Sequence, residues 1–256
     1  REARLAVAEA AALADAGRFR RLAGNRLEAG FSRSAFWLRL ELPAAAAPGQ
    51  RVVVEIGSPV LDRGAAHLFR AGEWRRIGIS GDGVAWSERA LRHRKPAFAV
   101  ALGSEPQRML IRVGGESTLN GPVRVWNEAA FLAASGEDDL FYGIYFGFLA
   151  AMLAYNLFLW GAVRDRAYLW YVAYVAALAL LQGKLAGYAD RWLWPETPAL
   201  ANPVNLLAIA AVLAGGAQFT KAFLGGAAKG ARRRIAAVQI AIALAAALLP
   251  VSYALA

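Results

Sequence analysis

The side chains in this sequence that could do chemistry are arginines and tryptophans set at alternating positions. In FWLRLEL, residues 36–42, Trp37 and Arg39 share one side of an extended strand, about 6.5–7 Å apart along it. Arg112, Trp86, Arg124 and Trp126 lie in neighbouring segments. An indole face beside a guanidinium fork is a common means of holding a sugar ring or a carboxylate. Asp62 and Arg63, in the LDR that follows VVVEIGSPV, would contribute from an adjoining loop. The ligand-binding set expected from the residues is therefore Trp37, Arg39, Asp62, Arg63 and Arg112. The plainer reading of each is a tryptophan plugging a sheet edge, an arginine on a solvated face, and an Asp62 that pairs with an arginine to hold its loop.

Catalysis finds less support. The two histidines, His67 and His93, have no ligand partner at close spacing, and His93 sits in LRHRKP beside Arg92, Arg94 and Lys95, where a cation is unwelcome. Glu41, Glu55, Asp62 and Glu73 show no spacing that favours any pair for glycosidase work. No nucleophile elbow, phosphate loop or dinucleotide fingerprint stands in a strand-to-helix context. With no cysteine, a disulfide framework and thiolate metal sites are excluded. The residues thus predict a binding domain with no enzyme activity, no metal and no cofactor.

These side chains need a scaffold, and period-two alternation supplies it over residues 30–134. After an alanine-rich helical or irregular lead-in (residues 1–29), FWLRLEL is followed by RVVVEIG, AHLFRAG, RRIGISG, KPAFAVAL, RMLIRVG and GPVRVWN, separated by GDG, GSEP and GES turns. Many short strands at near-regular spacing predict an all-β sandwich or jelly roll.

After residue 139 the chain changes character. Apolar runs near 140–163, 167–186, 201–222 and 235–256 approach the roughly 20 apolar residues that cross a bilayer, the second with help from Lys184 snorkelling to the interface. Residues 139–256 are therefore expected to form an all-α transmembrane bundle whose partner is lipid. Gly143 and Gly147 offer a GxxxG contact. Asn156, Gln182 and Gln218 are expected to bond across helices, and the lack of Asp, Glu or His in the runs argues against a pump. SGEDDL, residues 135–140, reads as a capped helix start.

Loop cations give the orientation. Arg164 and Arg166 in the first connection and Lys221, Lys229 and Arg232–Arg234 in the third place both on the cytoplasmic side. The second connection and the N-terminal domain then lie outside. The net charge of +10 could suggest nucleic acid, but it comes from scattered arginines and loop cations, so no nucleic-acid partner is expected.

The order GFSRSAFWLRLEL, VVVEIGSPVLDR, LRHRKPAFAVAL, RMLIRVGGESTLNGPVRVW, then YGIYFGFLAAMLAYNLFLW, RDRAYLWY and a WPETP loop resembles the bacterial 7TMR-DISM receptors. That resemblance implies an exported jelly roll similar to carbohydrate-binding domains and seven inner-membrane helices coupled to a cytoplasmic signalling module. A small-molecule or carbohydrate ligand and a second copy of the chain in a homodimer are the implied partners. Four helices of an expected seven are read here, which suggests the front half of a longer receptor or a truncated product. The alternative is a non-sensory structural or complex-forming membrane subunit with an exported sandwich.

Overall fold

A computed structural model describes residues 5–32, 34–115 and 118–224. Eight strands form two four-stranded antiparallel sheets. They are β1 (Arg26–Phe31), β2 (Phe36–Leu42), β3 (Arg51–Ile56), β4 (Arg63–Arg70), β5 (Glu73–Ser80), β6 (Ala97–Ala101), β7 (Gln107–Gly114) and β8 (Thr118–Asn127). One sheet runs β1-β8-β3-β6 and the other β2-β7-β4-β5. Leu38, Leu42, Val54, Ile56, Leu68, Phe98, Met109, Ile111 and Val113 fill the space between them. Alternation thus puts Phe36, Leu38, Leu40 and Leu42 inward and sends Trp37, Arg39 and Glu41 to the outer face of the second sheet.

Strand β1 starts inside the segment read from sequence as lead-in and crosses its boundary at residue 29. It pairs only with β8, across an irregularity between Glu28 and Phe31, and its short RLEAGF run gives little alternating signal. The β4–β5 turn also differs: Ala71 and Gly72 both take positive φ, +50° and +82°, as a tight hairpin matched to strand twist requires. The strands therefore end at Arg70 and restart at Glu73.

Both outer faces are covered. Helix α1 (Val7–Asp15) lays Ala10, Ala11 and Val7 against Leu110, Trp37 and Trp74. On the other sheet, Val53 and Ala97 pack with Phe131 from the first turns of α2 (Glu128–Val163). That helix begins seven residues before Ser135. Asn127 caps it, its Oδ1 accepting the Ala130 N–H at 2.7 Å, while Ser135 donates back to the Phe131 carbonyl at 2.7 Å in mid-helix. The expected capping role of SGEDDL is thereby corrected.

Among the described residues three helices are long and apolar enough to cross a membrane: Glu128–Val163, Arg166–Leu185 and Pro198–Phe223. The last contains α5 (Ala201–Phe223), and Arg166–Leu185 is α3. The run expected near 235–256 lies outside the described residues. Arg164, at φ +59°, closes α2, and the Asp165 carboxylate accepts the Ala167 N–H at 2.8 Å to cap α3. Close helix approach occurs at Gly215, where a Cβ would lie 3.1 Å from the Tyr174 Cα. Around Gly143 and Gly147, by contrast, no atom of the described residues outside the helix's own backbone lies within 4 Å of a Cβ position. Asn156 bonds the Met152 carbonyl within its own helix at 2.9 Å, not a neighbouring one. Lys184 is buried instead of snorkelling outward, a state a lysine adopts only with partners for its ammonium group.

Candidate ligand site and a docked exported loop

Strand register decides which outward side chains meet on the β2-β7-β4-β5 sheet. Trp37 pairs across to Arg112, Arg112 to Ala65, and His67 to Arg76 past a bulge in the β4–β5 ladder. These positions share the outer face beyond the end of α1, where Trp37, Arg63, His67, Arg76 and Arg112 line a cavity of about 310 Å³. The Trp37 and His67 rings lie 5.7 Å apart. Burial, together with the nearby Arg76 cation, lowers the His67 pKa below its usual value. Three of the five residues proposed from sequence, Trp37, Arg63 and Arg112, are thus brought together.

The other two are placed elsewhere. Arg39 bridges Asp15 at 3.3 Å and Glu41 at 3.0 Å, so it straps the end of α1 to the sheet and borders a broad open cleft beside β1 and β2. Asp62 lies over Gly115, where any Cβ would overlap its carboxylate, and its carbonyl accepts the Gly83 N–H at 2.9 Å. His67 and Arg76 carry no local signal, because the β7–β4 pairing brings His67 to the face of Trp37 and the bulged β4–β5 ladder then adds Arg76.

A second feature has no counterpart in strand periodicity. Residues 186–201, the exported connection after α3, fold into the same compact unit as the sandwich. Within this connection a short helix, α4 (Tyr188–Trp192), follows Gly187, whose φ of +80° and 2.7 Å approach of a Cβ position to the Arg94 carbonyl admit only glycine. The Trp86 N–H donates to the Pro195 carbonyl at 2.7 Å, Ser87 Oγ donates to Glu196 at 2.6 Å, and Arg94 donates to the Ala186 carbonyl at 3.3 Å. The Arg191 guanidinium lies 5.6 Å from the Trp86 ring centroid.

At the centre of this contact Asp82, Arg89 and Asp190 are all buried. Burial lowers the Arg89 pKa, and the carboxylates of Asp190 and Asp82 oppose it. Arg89 also donates to the Val84 and His93 carbonyls, each at 3.3 Å, and Asp190 accepts the Trp194 indole N–H at 2.9 Å. A guanidinium attracted by two buried carboxylates and donating to two carbonyls is the arrangement that makes a buried charge tolerable.

His93 links this region to the start of α2. Its ring packs edge-on to Phe131 at 4.8 Å, its Nε2 lies 3.3 Å from Ser135 Oγ, and its Nδ1 lies 3.2 Å from the Lys95 amide nitrogen. Burial is the main cause of its lowered pKa. The Lys95 carbonyl and Glu55 pull the other way, while Arg94 and Lys95 reinforce the depression. A histidine held neutral when folded keeps its full contribution above the ordinary pKa near 6.5 and loses it as pH falls below that value. Melting of the full chain between pH 8 and pH 5 should show falling stability below about pH 6.5, and the fall should shrink in His93→Gln. An identical pH profile in that variant would remove His93 from the account.

Residues 1–127 match the family model described as 7TMR-DISM extracellular 2, and residues 138–256 match the model described as 7TM diverse intracellular signalling. No curated protein matches the chain. Sandwich, linking helix and apolar helices follow in the order of these two models, which together span nearly all of the sequence. The chain therefore belongs to the 7TMR-DISM family of membrane sensory receptors, multi-pass proteins with an exported N-terminal domain.

Proposed function

We propose that these residues sense a small ligand outside the cell membrane and pass the result to the membrane helices, without enzymatic chemistry of their own. The ligand, of carbohydrate or small carboxylate character, occupies the outer face of the β2-β7-β4-β5 sheet at Trp37, Arg63 and Arg112. The docked loop carries the reading. A passive anchor needs no exported connection folded into its sandwich, whereas Ala186–Ala201 is bonded to the segment around Trp86–Arg94 and is covalently continuous with α3 and α5. A ligand that shifts the sheet would therefore load both helices through one rigid piece. The lipid bilayer, a second copy of the chain and a cytoplasmic signalling module complete the proposed assembly, and nucleic acid has no place in it.

Thermal melting of the full chain in lipid nanodiscs, against neutral sugars, acidic oligosaccharides and small carboxylates, tests this reading. A ligand at about 100 times its dissociation constant should stabilise the exported unit by roughly 2.7 kcal/mol. Arg112→Ala should abolish that gain. Arg39→Ala should not, because Arg39 serves as a strut to Asp15. A flat response across the panel would favour a non-sensory structural membrane subunit.

A further inference from the structure

We infer that Trp192 and Leu193, with the Arg191 guanidinium beside them, seat the docked exported loop in the headgroup layer of the bilayer. The inference concerns lipid and stands whether or not the sandwich binds a small ligand. Chain continuity limits where these residues can lie. Helix α3 holds 20 residues, about 30 Å at about 1.5 Å each, which matches the hydrocarbon thickness and puts Leu185 near its edge. Trp192 follows after Ala186, Gly187 and the single turn of α4, a reach of at most about 15 Å. On its other side the next candidate span begins at Pro198. A segment bounded so closely by two spans stays within reach of the headgroup layer, a zone roughly 5–8 Å deep on each face of the bilayer.

The loop does not expose these side chains for want of inward positions. Ala186, Ala189 and Asp190 are buried, and the Trp194 indole is engaged, donating to Asp190 at 2.9 Å. Yet Trp192 is 68% exposed and Leu193 61%, at the end of a short helix otherwise committed to the sandwich. A lone exposed apolar residue is ordinary. Two large ones in succession leave surface in water that contact with lipid would remove from it. Indole is amphipathic and collects at membrane interfaces, with its ring against the acyl boundary and its N–H toward the wet side. Arg191 suits the same layer. Its side chain is exposed, and its guanidinium lies 4.7 Å from the Trp192 ring centroid and 5.6 Å from that of Trp86. A guanidinium held against aromatic rings can still offer its N–H edge to a lipid phosphate. Three consecutive residues thus supply partners for phosphate, interface and acyl chain.

The full chain in nanodiscs of phosphatidylcholine and phosphatidylglycerol tests this. Leu193→Cys, in a chain with no native cysteine, carries an environment-sensitive fluorophore. The control is the same probe at Arg75→Cys, on β5, where the native side chain is exposed. The Leu193 probe should be blue-shifted, lose most of its emission to lipids spin-labelled near the glycerol, and be little affected by aqueous iodide. The Arg75 probe should show the reverse. Trp192→Asp in the Leu193→Cys background should restore iodide access, whereas Trp192→Tyr, still amphipathic, should not. Arg191→Glu should weaken lipid quenching, increasingly so as the phosphatidylglycerol share rises. The unlabelled chain gives a second reading that no probe can disturb: brominated lipids should quench part of its tryptophan emission, and that part should shrink in Trp192→Phe. A Leu193 probe open to iodide and quenched by lipid no more than the Arg75 control would leave the pair in water and overturn the inference. A probe shielded from iodide and lipid alike would assign the surface to a protein neighbour and overturn it equally.

Discussion

Arg89→Leu is expected to destabilise the exported unit by about 3–5 kcal/mol, the range for removing one partner from a buried ion cluster. The wild-type guanidinium sits at 6% exposure between Asp82 and Asp190, which are 2% and 3% exposed. Leucine fills part of the volume but removes the cation that both buried carboxylates attract, so swinging the loop out to hydrate Asp190 becomes less costly. Melting in nanodiscs reads the stability. The loop is read separately by a single cysteine at Ala189, which is 4% exposed in a chain with no native cysteine. Labelling by an impermeant maleimide should be slow in the Arg89 background and at least about tenfold faster in Arg89→Leu, since loss of the cluster's free energy raises the open population by more than that factor. The control is the triple variant Arg89→Leu, Asp82→Asn, Asp190→Asn. Removing the two acidic charges as well should recover part of the lost stability. A triple variant no better than Arg89→Leu alone would mean that packing, not charge, makes Arg89 important.

The sandwich was largely legible because its signal is local. Phe36, Leu38, Leu40 and Leu42 alternate with Trp37, Arg39 and Glu41, and the strand does bury the first set. Where local pattern is weak the sequence is silent: β1, irregular in register and at the edge of its sheet, begins four residues before the end of the helical or irregular lead-in expected over 1–29. Helix α2 shows the reverse failure. Its first turns carry no long apolar run, so the acidic SGEDDL looked like the start, whereas Asn127 caps the helix and Phe131 packs on the sheet. Tertiary packing extended the helix beyond its membrane-like portion.

Site residues divide along the same line. Trp37 and Arg112 become neighbours by antiparallel register, and Arg63 joins them from the start of β4. Arg39 has the same outward direction as Trp37, yet Asp15 of α1 claims it, a contact across 24 positions that no spacing rule contains. The loop held the clearest missed signal. In ADRWLWPETP the sequence sets Trp192 and Trp194 among Asp190, Arg191 and Glu196, an aromatic and charged density unusual for a mere connector. The Trp194–Asp190 bond and the Arg191–Trp86 stack account for it.

The second large effect is expected at Glu55, on the opposite sheet. Strand β3 is buried on both faces apart from Arg51, and Glu55 is 3% exposed. Its carboxylate accepts the Trp126 indole N–H at 2.6 Å and meets the Lys95 ammonium at 3.1 Å. Trp126 and Lys95 also flank the packing that holds Phe131 and His93 at the root of α2. Glu55→Leu therefore takes an ion-pair partner from a largely buried ammonium and the acceptor from an indole N–H at once, and should cost about 3–5 kcal/mol. Glu55→Gln should cost less, because an amide oxygen can still accept one of the two donors. The discriminating variant is Glu55→Leu combined with Lys95→Met, in which the cation becomes an apolar chain of similar length. If charge burial is the cause, the double variant should regain more than half of the loss, leaving chiefly the unpaired Trp126 nitrogen. Additive losses in the two single variants, with no recovery in the pair, would show that Glu55 and Lys95 act independently and that the bridge does not hold β3 to the base of the helix.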